Sequence, residues 1–199
     1  VLLNMNKTYK LYFLLTLLLG LTIILNAKAY ASNENVSLLN KTDIQNVTME
    51  EAKKIGDITY EDNEVLVISF NNNEEIANLI SKSDNTVTQG SDNFYQSRTT
   101  VNGPAGVAKI NAGNNGRSLY WMVRPRTAFP YLFSGKVNIK YYSGKKRVVN
   151  AIGTGAIGSS TSGVVYMKRN KGGYAKLSGT AKALNGRSYR VLPSVGTSF

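Results

Sequence analysis

The last 107 residues of the chain, from Asn93 to Phe199, contain no Asp and no Glu. They hold 17 Lys and Arg, although an ordinary stretch of this length carries roughly a dozen acidic residues. Two organisations fit such a composition. Either the acidic and basic parts of the chain share one folded unit and neutralise each other, or the basic stretch is a cationic module with a separate acidic partner.

The acidic residues are confined to the segment before this stretch. All 12 lie between Glu34 and Asp92, and residues 32–92 have only four basic residues, so their net charge is −8. Residues 81–93 are polar and show no apolar periodicity, which places a boundary there. We therefore predict three parts: a signal peptide (1–31), an acidic pro-region or accessory segment (32–92) and a basic antiparallel β-module (93–199).

The N-terminal part is typical of a secretory signal peptide. Lys7 and Lys10 precede an uncharged apolar run from Leu11 to Leu25, and Ala29-Tyr30-Ala31 supplies a peptidase site. We expect cleavage after Ala31 and a protein that is secreted, extracellular or associated with the cell wall. The alternative is an uncleaved membrane anchor. A secreted chain without Cys favours a bacterium with a single membrane.

The acidic segment predicts a small α/β arrangement. Thr48 and Glu51 match a capping box for a helix from Met49 to Ile55, which Gly56 ends. Residues 64–70 are apolar and β-branched, as in a buried strand. Asn72 or Asn73 is expected to cap a second helix over residues 74–81.

The basic module predicts short strands and tight turns. Val137, Ile139 and Tyr141 alternate with polar residues, which indicates a half-buried strand with a basic outer face. Asn185-Gly186 predicts a type I′ hairpin turn. The expected fold is mainly β: an antiparallel sandwich or a barrel-like module, preceded by the acidic α/β segment and the signal peptide.

The Gly- and Ser-rich residues 153–163 allow two interpretations. They form a flexible loop between two strands, or they belong to an amphipathic hairpin over residues 148–166 that inserts into a membrane. This 19-residue span has no charge and is flanked by basic residues on both sides. Its apolar content is too low for a membrane-spanning helix, which favours the loop.

The composition excludes most catalytic chemistry. Without His or Cys there is no Ser-His-Asp triad and no thiolate metal site. Ser143 and Lys146 match an S-x-x-K pattern but fall in a predicted hairpin turn. The carboxylates Glu61, Asp62 and Glu64 would serve a hydrolytic or Ca²⁺ site, or simply a solvated turn, which the missing calcium-loop pattern favours. We predict a protein that is not an enzyme and has no cofactor and no metal.

The basic surface is the feature that indicates a function. Cations interleaved with Tyr and Trp are typical of proteins that bind polyanions. The predicted partners are an anionic membrane or wall polymer, the acidic segment 32–92 within the chain, and extracellular DNA. We expect a secreted cationic protein that binds the cell envelope, in its stronger form a bacteriocin-like effector; an adhesion or matrix protein is the alternative, and a hydrolase has the least support. The predicted anion-binding residues are Arg117, Arg124, Arg126, Lys136, Lys140, Lys145, Lys146, Arg147, Lys168, Arg169, Lys171, Lys182, Arg187 and Arg190.

Overall fold

The computed structural model describes residues 44–83, 100–191 and 195–199. All of them belong to one compact unit, Leu39–Phe199. The predicted signal peptide and its cleavage site lie outside the described residues. Neither described helix has the length and the apolar run that crossing a bilayer would require.

The first part of this unit alternates helices and strands, and the remainder consists of strands. After a 3-10 helix, Ile44–Asn46, come α1 (Met49–Ile55), β1 (Asp57–Glu61), β2 (Val65–Asn71) and α2 (Glu74–Lys82). The later strands are β3 (Thr100–Gly103), β4 (Gly106–Ala112), β5 (Ser118–Pro125), β6 (Tyr131–Tyr141), β7 (Lys146–Gly155), β8 (Thr161–Met167), β9 (Gly173–Ala183), β10 (Ser188–Arg190) and β11 (Gly196–Ser198).

These strands form two open antiparallel sheets. The first sheet has the order β1-β2-β8-β5-β4-β3, and the second has the order β10-β9-β6-β7, with β11 also paired to β9. The chain is therefore mainly β, as predicted, and two unclosed sheets are consistent with the sandwich rather than the barrel. Strand β2, which comes from the acidic segment, lies inside the first sheet between β1 and β8.

The molecule has two apolar cores. Trp121 and Val165 of the first sheet pack with Phe133 and Leu177 of the second, and all four side chains are fully buried. On the other face of the first sheet, Ile76 and Ile80 of α2 pack with residues such as Ile68. The first sheet is consequently covered on both faces, whereas the outer face of the second sheet has no cover among the described residues.

The local signals of the acidic segment are confirmed. The Glu51 amide donates to Thr48 Oγ1 at 3.3 Å, while the Glu51 carboxylate accepts from the Thr48 amide at 2.8 Å, so the capping box is complete. Asn73, rather than Asn72, caps α2 by accepting from the Ile76 amide at 3.2 Å. The buried strand also forms as predicted, since every residue from Val65 to Phe70 is buried.

One turn prediction is wrong, and one predicted loop is too long. Asn185 does not have the positive φ that a type I′ turn requires; only Gly186 does, with φ of 82°. The Ala183 amide donates to the Arg187 carbonyl and the Gly186 amide to the Ala183 carbonyl, which closes a longer hairpin ending in a glycine bulge. The loop predicted over residues 153–163 is present but covers only residues 156–160, because Gly153 and Gly155 belong to β7 and Thr161 begins β8. These glycines serve close packing, because a Cβ at Gly155 would lie 2.2 Å from the Tyr131 ring.

Candidate functional site

The outer face of the second sheet is the strongest candidate for a functional surface. Strand β6 alternates strictly between buried and exposed residues, so Lys136, Asn138 and Lys140 point away from the core. The register with β7 and β9 places further exposed or half-exposed residues beside them. We call this surface the basic face; its cations are Lys136, Lys140, Lys146, Lys176, Lys182 and Arg190.

Four of these cations form a cluster around Asn138. Lys176 lies directly opposite Asn138 on the neighbouring strand, and Lys136 and Lys140 flank Asn138 at the two next outward positions of β6. Lys146 lies directly opposite Lys140 on the other side. Directly opposed residues have Cβ atoms about 5 Å apart and diagonal neighbours about 7–8 Å apart. The four ammonium groups can therefore converge on one bound anion or on adjacent groups of a polyanion.

The basic face has no compensating charge among the described residues. None of its six cations takes part in an ion pair there, and residues 100–191 contain no carboxylate side chain. Like charges directly opposite in a sheet destabilise the pairing. The Lys140–Lys146 pair thus costs the free protein stability, and a bound anion would offset that cost.

Neutral polar groups lie between the cations. Asn138 Nδ2 and Ser178 Oγ are 3.5 Å apart across the sheet, and Asn150 lies opposite Lys136. Half-exposed Tyr174 lies opposite Lys140. Amide and hydroxyl groups beside ammonium groups supply further hydrogen bonds to an oxyanion. The face is therefore suited to ligands such as phosphates and carboxylates.

Several of the predicted anion-binding residues are occupied by acids of the segment 32–92. Arg147 forms ion pairs with Asp62 and Glu64, and Lys145 pairs with Glu64. Lys168 Nζ lies 2.6 Å from Glu61. We call this group of side chains the ionic clamp. The carboxylates of the β1–β2 turn are thus engaged with cations. The prediction of a solvated turn is therefore incomplete, because it does not include these ion pairs.

The ionic clamp holds its carboxylates in the charged form. The backbone amides of Glu64 and Val65 each donate to Asp62 at 2.8 Å and are the main cause that keeps its pKa below the ordinary value, assisted by Tyr60 and Arg147. The Lys145 ammonium lowers the pKa of Glu64, and Lys168 lowers that of Glu61. These lowered pKa values indicate carboxylates that stay ionised in a structural contact, rather than carboxylates that transfer protons.

The structure separates the predicted residues into three groups. Lys136, Lys140, Lys146, Lys182 and Arg190 share the basic face. Arg124 pairs with Glu74 at 3.6 Å and joins the ionic-clamp residues in being bound to acids. The remaining predicted residues are exposed in loops and strand ends: Arg117, Arg126, Arg169, Lys171 and Arg187.

Lys176, which the sequence places among the cations interleaved with aromatic residues, also belongs to the site. The sequence carries a signal for it, because Lys176 lies between Ala175 and Leu177, which are both fully buried. Strand alternation then requires Lys176 to point outward.

The described residues contain no group of three or more acidic side chains arranged to hold a metal ion. Ser143 lies in the turn after β6, where it is exposed and not at the start of a helix. In comparisons with known proteins, no family model and no curated sequence matches the chain.

Proposed function

We propose that the chain is a secreted, non-enzymatic β-protein that binds anionic surfaces of the cell envelope through the basic face. The observation that supports this most is the opposition of Lys140 and Lys146, next to Lys136 and Lys176, without a carboxylate from the described residues. A solubilising surface would mix both signs of charge. A surface that binds polyanions concentrates one sign.

The size of the basic face supports useful affinity. Each Lys or Arg near an anionic membrane contributes about 1 kcal/mol, so six cations supply about 6 kcal/mol, which corresponds to a Kd of roughly tens of micromolar. This attraction is screened within about 10 Å at 0.1 M salt. Binding should therefore weaken steeply as the ionic strength rises.

We propose that the acidic segment acts as an internal partner that stays in place. Its carboxylates engage Lys145 and Arg147 at β7, the edge strand of the second sheet, and Lys168 directly after β8 of the first sheet. Helices α1 and α2 lie on the opposite side of the molecule from the basic face. The described part of the segment, residues 44–83, thus offsets part of the positive charge without covering the six cations.

Vesicle binding tests the proposed function. A chain beginning at Ser32 should sediment with vesicles of phosphatidylglycerol at low salt and be released at high salt, and it should not bind phosphatidylcholine vesicles. Equal binding to both vesicle types, or no response to salt, would refute the proposal. Mass spectrometry of the secreted form tests the expected N-terminus at Ser32.

A plate assay distinguishes an antimicrobial effector from an adhesion or matrix protein. An antimicrobial effector kills related bacteria at concentrations at which the basic face is occupied. An adhesion or matrix protein binds the same surfaces without killing. Competition by DNA in the vesicle assay then measures whether released nucleic acid is a second polyanionic ligand.

A further inference from the structure

Exposed apolar side chains are concentrated at one end of the second sheet. Nine large hydrophobic residues are exposed in the described part of the chain, and five of them lie at this end. Leu184 is 80% exposed, Ile157 68% and Phe129 46%. We call these five residues the apolar rim: Phe129, Leu132, Ile152, Ile157 and Leu184.

The strand register brings the rim residues together. Tyr131, the first residue of β6, pairs with Gly155 at the end of β7 and with Ala183 at the end of β9. The loops 126–130, 156–160 and 184–187 therefore leave the sheet side by side. Two hydrogen bonds connect them: the Leu184 amide donates to the Pro130 carbonyl at 3.0 Å, and the Tyr131 hydroxyl to the Ser159 carbonyl at 3.0 Å.

Cations border the apolar rim. Lys182 lies directly opposite Leu132 on the outer face, and Arg126 and Arg187 are exposed in two of the three loops. The described carboxylate that contacts these loops is Glu74, and it is engaged by Arg124 and by the Ser160 amide. The three bordering cations form no ion pair within the described part of the chain. Apolar tips bordered by such cations match the interface of an anionic bilayer, where the tips enter the acyl region and the cations meet headgroups.

We propose that the apolar rim inserts into anionic lipid bilayers, so that the partner of the basic face is a lipid surface. This inference rests on the proposed function and names its target. A soluble polyanion has no acyl region and would leave Ile157 and Leu184 in water, whereas a bilayer buries them. Phe129, Ile157 and Leu184 protrude from three different loops, and their border of cations matches anionic headgroups, which favours a lipid surface over a protein partner.

A pair of matched variants tests the insertion. One variant carries Phe129→Ser, Ile157→Ser and Leu184→Ser; the control carries Ile58→Ser, an exposed apolar residue of β1. Both are made in the chain from Ser32, which retains the whole compact unit. Each is titrated with phosphatidylglycerol vesicles and with inorganic polyphosphate.

We expect the rim variant to lose at least tenfold in affinity for the vesicles while its affinity for polyphosphate stays within twofold of the wild type. The β1 control should bind both ligands normally. An unchanged vesicle affinity, or an equal loss towards both ligands, would overturn the insertion. If the wild-type chain binds neither ligand, the proposed function fails together with the inference; if it binds both and the rim variant does too, only the inference fails.

A fluorescent reporter measures insertion directly. Leu184→Trp gives the chain a second Trp and places it in the apolar rim. The native Trp121 is fully buried and therefore out of reach of the lipid. Tyr142→Trp, in the turn at the opposite end of β6, serves as the control. Lipids brominated in the acyl chain should quench the Trp at position 184 and leave the Trp at position 142 unaffected. Equal quenching at both positions, or none at position 184, contradicts insertion through the rim.

Discussion

Lys146 and Arg147 are neighbours in the sequence, but they point to opposite faces of β7. Lys146 projects outward opposite Lys140, whereas Arg147 turns toward the first sheet and pairs with Asp62 and Glu64. A run of three cations, 145–147, is therefore divided between the basic face and the ionic clamp. The role of each cation therefore depends on which face of the strand its position occupies, because successive side chains of a strand point to opposite faces.

The ionic clamp predicts an acid-sensitive fold. The folded state lowers the pKa of Asp62, Glu64 and Glu61. Their stabilisation is therefore complete above the unfolded pKa values, about 4, and is lost as the pH falls through the lower folded values. For Asp62→Asn we expect a lower urea midpoint than wild type at neutral pH and a smaller further decrease between about pH 5 and pH 3.

The matched control for this experiment is Glu75→Gln. Glu75 is exposed in the first turn of α2 and has no ion pair among the described residues. Its variant should follow the wild-type pH response. If Asp62→Asn shows the same loss between these pH values as wild type, the ionic clamp does not carry the acid sensitivity.

At the scale of elements, the sequence predicted what depends on neighbours and missed what depends on distant contacts. The capping box of α1 and the alternation of β6 involve residues a few positions apart, and both are confirmed. The pairing of Arg147 with Asp62 joins residues 85 positions apart, and no local pattern encodes it. The same limit applies to the four-lysine cluster, whose members come from three strands brought together by the sheet register.

Turn and glycine signals failed for a different physical reason. The dipeptide Asn-Gly is compatible with several hairpins, and here only Gly186 has the positive φ. The glycines at 153 and 155 suggested flexibility, but the neighbouring Thr161 and Tyr131 side chains occupy the space that a Cβ would take. A glycine has the same sequence signal whether it provides flexibility or close packing.

Strand β2 predicts that the acidic segment stays bound after a cut in the chain. It pairs with β8 from Val65 to Asn71 and contributes buried residues to both cores. With a protease site inserted within residues 84–99, the two cleaved pieces should co-elute in size-exclusion chromatography and separate only in denaturant. Elution of a folded C-terminal piece by itself would contradict this expectation and support a removable pro-region.

At the scale of the whole molecule, the layers separate the charges. Helices α1 and α2 with their acids lie over one face of the first sheet, the second sheet packs on the other face, and the basic face points away from both. The net charge of +12 is therefore unevenly distributed, with acidic residues of the helices on one side and the basic face on the other. We therefore expect binding to depend on where the cations are placed as well as on their total number.

The most direct measurement compares two triple variants that remove the same charge from opposite sides. One carries Lys136→Gln, Lys140→Gln and Lys176→Gln on the basic face; the other carries Lys53→Gln, Lys54→Gln and Lys82→Gln on the helices. Their affinities for phosphatidylglycerol vesicles are measured over a range of salt concentrations. At about 1 kcal/mol for each cation near the surface, we predict at least a tenfold loss and a shallower salt dependence for the first variant, and affinity within about twofold of wild type for the second. Equal losses in both variants, or no loss in the first, would contradict the account.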